Sequence, residues 1–176
     1  YHNLPEQTAE ALEPDGWLHT GDIGEIDADG FLRITDRKKD LIKTSGGKYV
    51  APQLIEVLFK GECALASHMV VHGDGRSYCT ALVTLDPDAL TQWAAHRGLT
   101  GDYAALSQHP DVRAEVAAAV ERVNSRVNRW ETLKDFRILD NDLTIEHGEL
   151  TPSLKVKRRV VENLHQATLD SMYPRD

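Results

Sequence analysis

The sequence holds few aromatic residues (6%), two cysteines, two methionines and no apolar run of membrane-spanning length. With 41% apolar residues, this composition excludes collagen-like, disordered and membrane-spanning classes. Basic charge is also short: 20 Lys and Arg against 28 Asp and Glu, or 20 − 28 = −8. Such a chain is a poor general binder of nucleic-acid phosphates, so any anion chemistry must come from a local cluster of cations. Cys63 and Cys79 form no C-x-x-C pair and lie in apolar stretches. They read as reduced core residues, which favours a cytoplasmic location. No charged-then-apolar leader precedes the fold, residue 1 is Tyr, and the methionines are Met69 and Met172. The expectation is a piece of a longer protein.

The 176 residues are enough for one domain, or one domain plus a fragment, with a real core. Residues 1–12 are polar and read as surface coil. From Asp22, two short apolar stretches flank a turn in which Gly30 takes positive φ, which predicts a β-hairpin. The five charged residues Asp36 to Asp40 suit an exposed connector and mark a domain boundary. Beyond them, Pro52 opens a helix running to about Phe59. Residues 68–72 and 78–85 predict a strand pair. Asp86 to Asp88 cap a helix ending near Arg97. Val112, Val116, Val120, Val123 and Val127 recur at helical spacing after Pro110, which predicts the longest helix. Phe136 to Leu139 suggest a further strand, Thr144 to Thr151 a turn region, and a cationic helix is expected from near Lys157 to before Pro174. The class expected is α+β, a small sheet flanked by helices.

Two windows hold nine of the 20 cations: Arg37, Lys38, Lys39, Lys43 and Lys48, then Lys155, Lys157, Arg158 and Arg159. Charge runs are commonly just solvated faces, but Gly46 and Gly47 between Lys43 and Lys48 add a backbone able to approach an anion and present amides to it. Tyr49 after Lys48 breaks the Walker pattern. Asp22, at the exposed start of the hairpin, is either an ordinary turn residue or an acceptor for a sugar diol. His68 and His72 lack a glutamate between them at the position a zinc helix requires, and read as core or surface histidines. Lys155 leaves a turn just before the last helix, where the dipole disfavours a cation unless an anion is near.

In order, WLHTGD (17–22), DRKKDLIKTSGGKYVAPQLIE (36–56) and TPSLK (151–155) resemble the C-terminal part of adenylate-forming enzymes, on the long-chain fatty acyl-CoA synthetase branch. The resemblance covers essentially the whole chain. It implies a large N-terminal domain of the same parent chain holding ATP and the acid, with a small C-terminal domain closing over it. Residues 1–36 match the end of the large domain and residues 37–176 the small one, with the hinge at about 36–40. Asp22 matches the acid that holds the ribose hydroxyls, Arg37 a basic ribose contact, and Lys39 the hinge residue. Lys155 matches the lysine that stabilises in-line attack of a carboxylate on the α-phosphate, with Mg²⁺ sharing the charge. Gly46 matches the glycine beside the pantetheine tunnel, and Lys43 and Lys48 lie on the same coenzyme A face.

The activity implied is ATP-dependent ligation of a long-chain fatty acid to coenzyme A, with peripheral membrane contact through the lipid substrate and no nucleic-acid partner. No Ser/Thr/Gly-rich phosphate loop and no adenine pocket occur in these residues, so the fragment alone is expected to be inactive. Leu154 departs from the usual pattern, in which glycine precedes the lysine. Residues 86–130 are longer and more helical than a minimal small domain. The alternatives are a fatty acyl-AMP ligase serving a carrier protein, and a non-catalytic interaction module using the valine face of the long helix.

Overall fold

A computed structural model describes residues 1–174. They fall into two compact units that divide after Leu41. In the first unit, α1 (Pro5–Ala11) stands where coil was expected. Pro5 opens it and Glu6 lies in its first turn, both favourable at a helix start, but it buries no residue. It therefore carries no apolar stripe for the sequence to reveal. An isolated bridge, Leu12 to Leu18, folds the following segment back. Strands β1 (Asp22–Ile26) and β2 (Leu32–Arg37) form the expected antiparallel hairpin. The Asp27 carboxylate accepts from the amides of Asp29 and Phe31 across its turn.

The second unit begins with a two-residue hairpin, β3 (Ile42–Lys43) and β4 (Tyr49–Val50), followed by helix α2 (Pro52–Glu62). The helix runs about a turn past Phe59, and its C-cap amide at Cys63 still reaches the Phe59 carbonyl. A three-stranded sheet comprises β5 (Ala66–His72), β6 (Cys79–Leu85) and β7 (Leu133–Ile138), with β6 central, antiparallel to β5 and parallel to β7. The β6-to-β7 crossover holds α3 (Pro87–Ala95), α4 (Tyr103–Ser107) and α5 (Pro110–Asn124). As expected, the Asp86 side chain caps α3 by accepting from the Ala89 amide. The short α4 was not anticipated, although the Asp102 side chain caps it by accepting from the Ala105 amide.

Side chains alternate across a strand, and here both faces of the sheet are covered. Met69, Val71, Ala81, Val83 and Phe136 pack with Ile55 and Phe59 of α2 and the valines of α5. Val70 and Leu82 face the opposite way, into a second core with Leu139, Leu143, Leu150, Val161 and Leu169. Every residue of β6 is consequently buried. Val112, Val116, Val120 and Val123 are 0–5% exposed. The valine face is core, which removes the interaction-module reading that depended on it.

The expected C-terminal helix is two helices, α6 (Arg158–Leu164) and α7 (Gln166–Asp170). His165 between them leaves the helical region (φ −109°, ψ 22°). The architecture is α+β, and among the described residues no helix is long and apolar enough to cross a membrane.

Candidate active-site surfaces

In the first unit, the hairpin register sets Asp22 directly opposite Arg37. The guanidinium Nε lies 3.4 Å from Asp22 Oδ1, and both side chains remain partly exposed. Two residues fifteen positions apart in sequence thus form one acid–base pair at the open end of a hairpin. A carboxylate there accepts from hydroxyl groups, while the guanidinium beside it donates. Lys39 is exposed in a single 3-10 turn, Lys38–Asp40, that follows β2.

In the second unit, the β3–β4 turn carries Lys43, Gly46 and Lys48, all exposed. Its backbone is closed on itself: Thr44 N–H donates to the Lys48 carbonyl (2.9 Å) and Gly47 N–H to the Thr44 carbonyl (2.8 Å). Ser45 N–H donates to the Arg76 carbonyl. The amides of Ser45 and Gly47 are therefore occupied by backbone carbonyls, and the exposed groups able to meet an anion at this turn include the Lys43 and Lys48 side chains. The two glycines differ in kind. Gly47 has φ +76°, which an L side chain rarely adopts. A Cβ on Gly46 would meet only Thr44 Oγ1, at 4.0 Å. Nothing in this unit requires glycine at position 46. Lys48 Nζ lies 5.2 Å from the ring centre of Trp130, and Lys43 Nζ 5.8 Å from that of Tyr49.

Lys155 projects from a braced loop. Leu150 and Val156 form a bridge, Thr151 N–H donates to the Lys155 carbonyl (2.8 Å), and Leu154 N–H donates to the Thr151 carbonyl (2.8 Å). The Thr151 hydroxyl accepts from Lys155 N–H at 3.0 Å. These bonds fix the backbone on either side of the lysine while its side chain stays exposed. Beneath it, Lys157 N–H donates to the carbonyl of Glu149. The Glu149 carboxylate is buried, accepts from Thr144 N–H (3.0 Å), and has His165 Nε2 at 3.5 Å.

Upstream of this loop, Asp142 accepts from Ser67 Oγ (2.6 Å), Thr84 Oγ1 (2.6 Å) and Leu143 N–H (2.8 Å), with His68 Nδ1 at 3.3 Å. Burial alone would raise the Asp142 pKa, but His68, Ser67, Thr84 and the Leu143 amide outweigh it and hold the carboxyl below its ordinary value. His72 Nδ1 meets Glu162 at 2.8 Å. The two histidines read as core or surface residues are thus half-buried partners of carboxylates.

The cations of the second window divide by role. Arg158 is structural, with its guanidinium on Glu56 and on the Val71 carbonyl, whereas Lys155, Lys157 and Arg159 are exposed. Sequence reasoning missed Glu56, Asp142 and Glu149, whose partners lie on other elements and leave no local signal.

Residues 39–176 match the AMP-binding enzyme C-terminal domain. The chain belongs to that family.

The chain is 43% identical over 98% of its length to the putative fatty-acid–CoA ligase fadD11 of Mycobacterium tuberculosis, of which it covers 30%. It is 41% identical over its whole length to the long-chain-fatty-acid–CoA ligase FadD15 of the same organism, covering 29%. Human long-chain-fatty-acid–CoA ligase 6 is 36% identical over 98% of the chain, which covers 25% of it. The chain thus spans between a quarter and a third of these relatives. Among solved structures, the adenylation domain of a carboxylic acid reductase from Segniliparus rugosus, in complex with AMP and a co-purified carboxylic acid, aligns with TM-score 0.74 at 27% identity, over 98% of this chain and 26% of that one.

Proposed function

We propose that this chain is the C-terminal part of a long-chain fatty acid–CoA ligase that forms an acyl-adenylate from ATP and a fatty acid and passes the acyl group to coenzyme A. The observation that carries this reading is similarity along the whole chain, at 34–43% identity, to proteins named as fatty-acid–CoA ligases.

Asp22 accepts from the ribose hydroxyls of the nucleotide while Arg37 donates beside it, a role supported by their 3.4 Å pairing across the hairpin. Lys155 places its ammonium between the attacking carboxylate and the α-phosphate, neutralising charge that grows in the transition state. The hydrogen-bonded loop around it supports that role, because a pre-positioned cation needs little reorganisation when the reaction occurs. Lys39, in its short 3-10 turn, is the hinge about which the C-terminal domain moves between the two half-reactions.

For the second half-reaction, Gly46 leaves room for the approaching thiol, and Lys43 and Lys48 meet the phosphates of coenzyme A. The open space at Gly46 supports this, since no packing within the fold calls for a glycine there. Among the described residues no three His, Cys, Asp or Glu side chains converge to hold a metal; Mg²⁺ bound through the phosphates of ATP would add to the charge neutralisation assigned to Lys155. We propose a cytoplasmic location for the parent, with peripheral membrane contact through its lipid substrate.

The test uses the intact parent, wild type and Lys155→Ala: long-chain-acid-dependent ATP–pyrophosphate exchange, then thioester formation with coenzyme A. Exchange that depends on Lys155, followed by thioester, supports the ligase. Exchange without thioester assigns an acyl-AMP ligase instead, and absence of both across fatty acids overturns the reading.

A further inference from the structure

Among the described residues Leu154 is one of two non-glycine residues with positive φ, at +59°. The loop's geometry imposes this. With Thr151 and Lys155 paired by a backbone hydrogen bond and Leu154 N–H returning to the Thr151 carbonyl, Pro152, Ser153 and Leu154 form a three-residue connection. The last position of such a connection is left-handed, and glycine is the residue that takes it without penalty. Proline at its first position matches the preferred turn chemistry. Leucine at its last position contradicts that chemistry, because its Cβ crowds the following carbonyl.

Packing within the described structure does not compensate for the strain, since Leu154 is 65% exposed. A backbone outlier whose side chain does little for the fold, next to the residue assigned to the chemistry, points to a contact made elsewhere.

We propose that Leu154 selects the adenylating pose: its side chain is buried against an apolar patch of the parent's nucleotide-binding domain when Lys155 enters the active site, and is exposed again in the thioester-forming pose. The inference rests on the function proposed above. Its occupant is that domain because the loop's assigned task is to insert Lys155 there, and because leucine, unlike the lysines around it, gains only from an apolar surface. A side chain buried in one pose and exposed in the other shifts their ratio by its differential burial. For a leucine this is roughly 10- to 100-fold.

The experiment compares Leu154→Gly, Leu154→Asn and Leu154→Met in the intact parent. Glycine and asparagine both accept the left-handed backbone, and asparagine lacks glycine's looseness. Their shared effect is therefore the lost apolar side chain. Both are expected to lower kcat/KM for fatty-acid-dependent pyrophosphate exchange by roughly 10-fold or more and to leave thioester formation from preformed acyl-adenylate unchanged or faster. Neither is expected to lower the melting temperature, and Leu154→Met is expected to retain exchange.

Equal loss in both half-reactions, or a fall in exchange for glycine alone, would mean that the residue only shapes the loop and would overturn the proposal. So would unchanged exchange in all three variants. Exchange that is lost in Lys155→Ala yet indifferent to position 154 overturns this inference alone, whereas a wild-type parent without exchange overturns the function and this inference together.

Discussion

The Arg158 guanidinium grips the Glu56 carboxylate, with Nη2 2.8 Å from Oε1 and 3.0 Å from Oε2, while Nη1 donates to the Val71 carbonyl at 2.8 Å. Glu56 Oε1 in turn accepts from Val71 N–H at 2.9 Å. One half-buried pair therefore joins α2, which follows the glycine turn, to β5 and to α6, which follows the Lys155 loop.

Removing one partner leaves the other charged group short of hydrogen bonds in a poorly solvated place. Arg158→Ala is expected to lower stability by about 2–3 kcal/mol. Arg158→Lys should recover only part of this, because an ammonium cannot make the two-pronged contact. Urea denaturation of the three forms checks it: a loss under about 0.5 kcal/mol in the alanine variant would make the pair incidental.

Asp142 gives a pH dependence of definite sign. Its folded pKa lies below the ordinary 3.8, so it binds a proton more readily in the unfolded chain. The resulting stability is present above the unfolded value and is lost as pH falls through the lowered folded one. Asp142→Asn is expected to cost about 2 kcal/mol at neutral pH and to flatten the stability curve below about pH 4. Parallel acid-unfolding curves for variant and wild type would refute this.

The two glycines of the β3–β4 turn predict opposite outcomes. Gly47→Ala should destabilise the fold by roughly 1 kcal/mol, because φ +76° disfavours a Cβ. Gly46→Leu should change stability by less than about 0.5 kcal/mol yet slow thioester formation in the parent by roughly 100-fold. Calorimetry with single-turnover thioester assays separates the two, and normal thioester formation by Gly46→Leu would remove the role assigned to that position.

Burial raises the pKa of Cys63, and burial, with Glu131 adding a smaller effect, raises that of Cys79 to about 11. Little thiolate exists at either sulfur near neutrality, and reactivity follows the thiolate. The native protein at pH 8 is expected to react with neither cysteine over several minutes, and with both in denaturant. Rapid native labelling at pH 8 would contradict the closed core.

Much of this was legible in the sequence wherever a local period or turn residue carried the information. The Asp22 hairpin, the β5–β6 pair, the capped start of α3 and the valine stripe of α5 belong to that class. Helix α1 was not legible, since it buries nothing and shows no apolar stripe. The break at His165 is a matter of backbone angles that the surrounding polar residues do not announce. Motif order marked out Lys155, Gly46 and Asp22, but the buried and half-buried carboxylates Glu56, Asp142 and Glu149 of the second unit were invisible. Asp142 meets Ser67 across 75 residues of chain, and no spacing rule reaches that far. Leu154 was noted only as a departure from glycine; its meaning required the backbone angle.

The parallel pairing of β6 with β7 governs the order in which the polypeptide assembles. Cys79 pairs with Leu133, 54 positions later, whereas the β5–β6 hairpin closes between His72 and Thr80. Short closures precede long ones because the entropy of loop closure rises with length. The hairpin with α2 therefore forms the early nucleus, and β7 docks late, bringing with it the segment that carries Lys155. During refolding, amide protection is expected to appear in β5 and β6 before the Thr151–Lys155 turn acquires any, so the Lys155 loop is completed only as the tertiary structure closes around it.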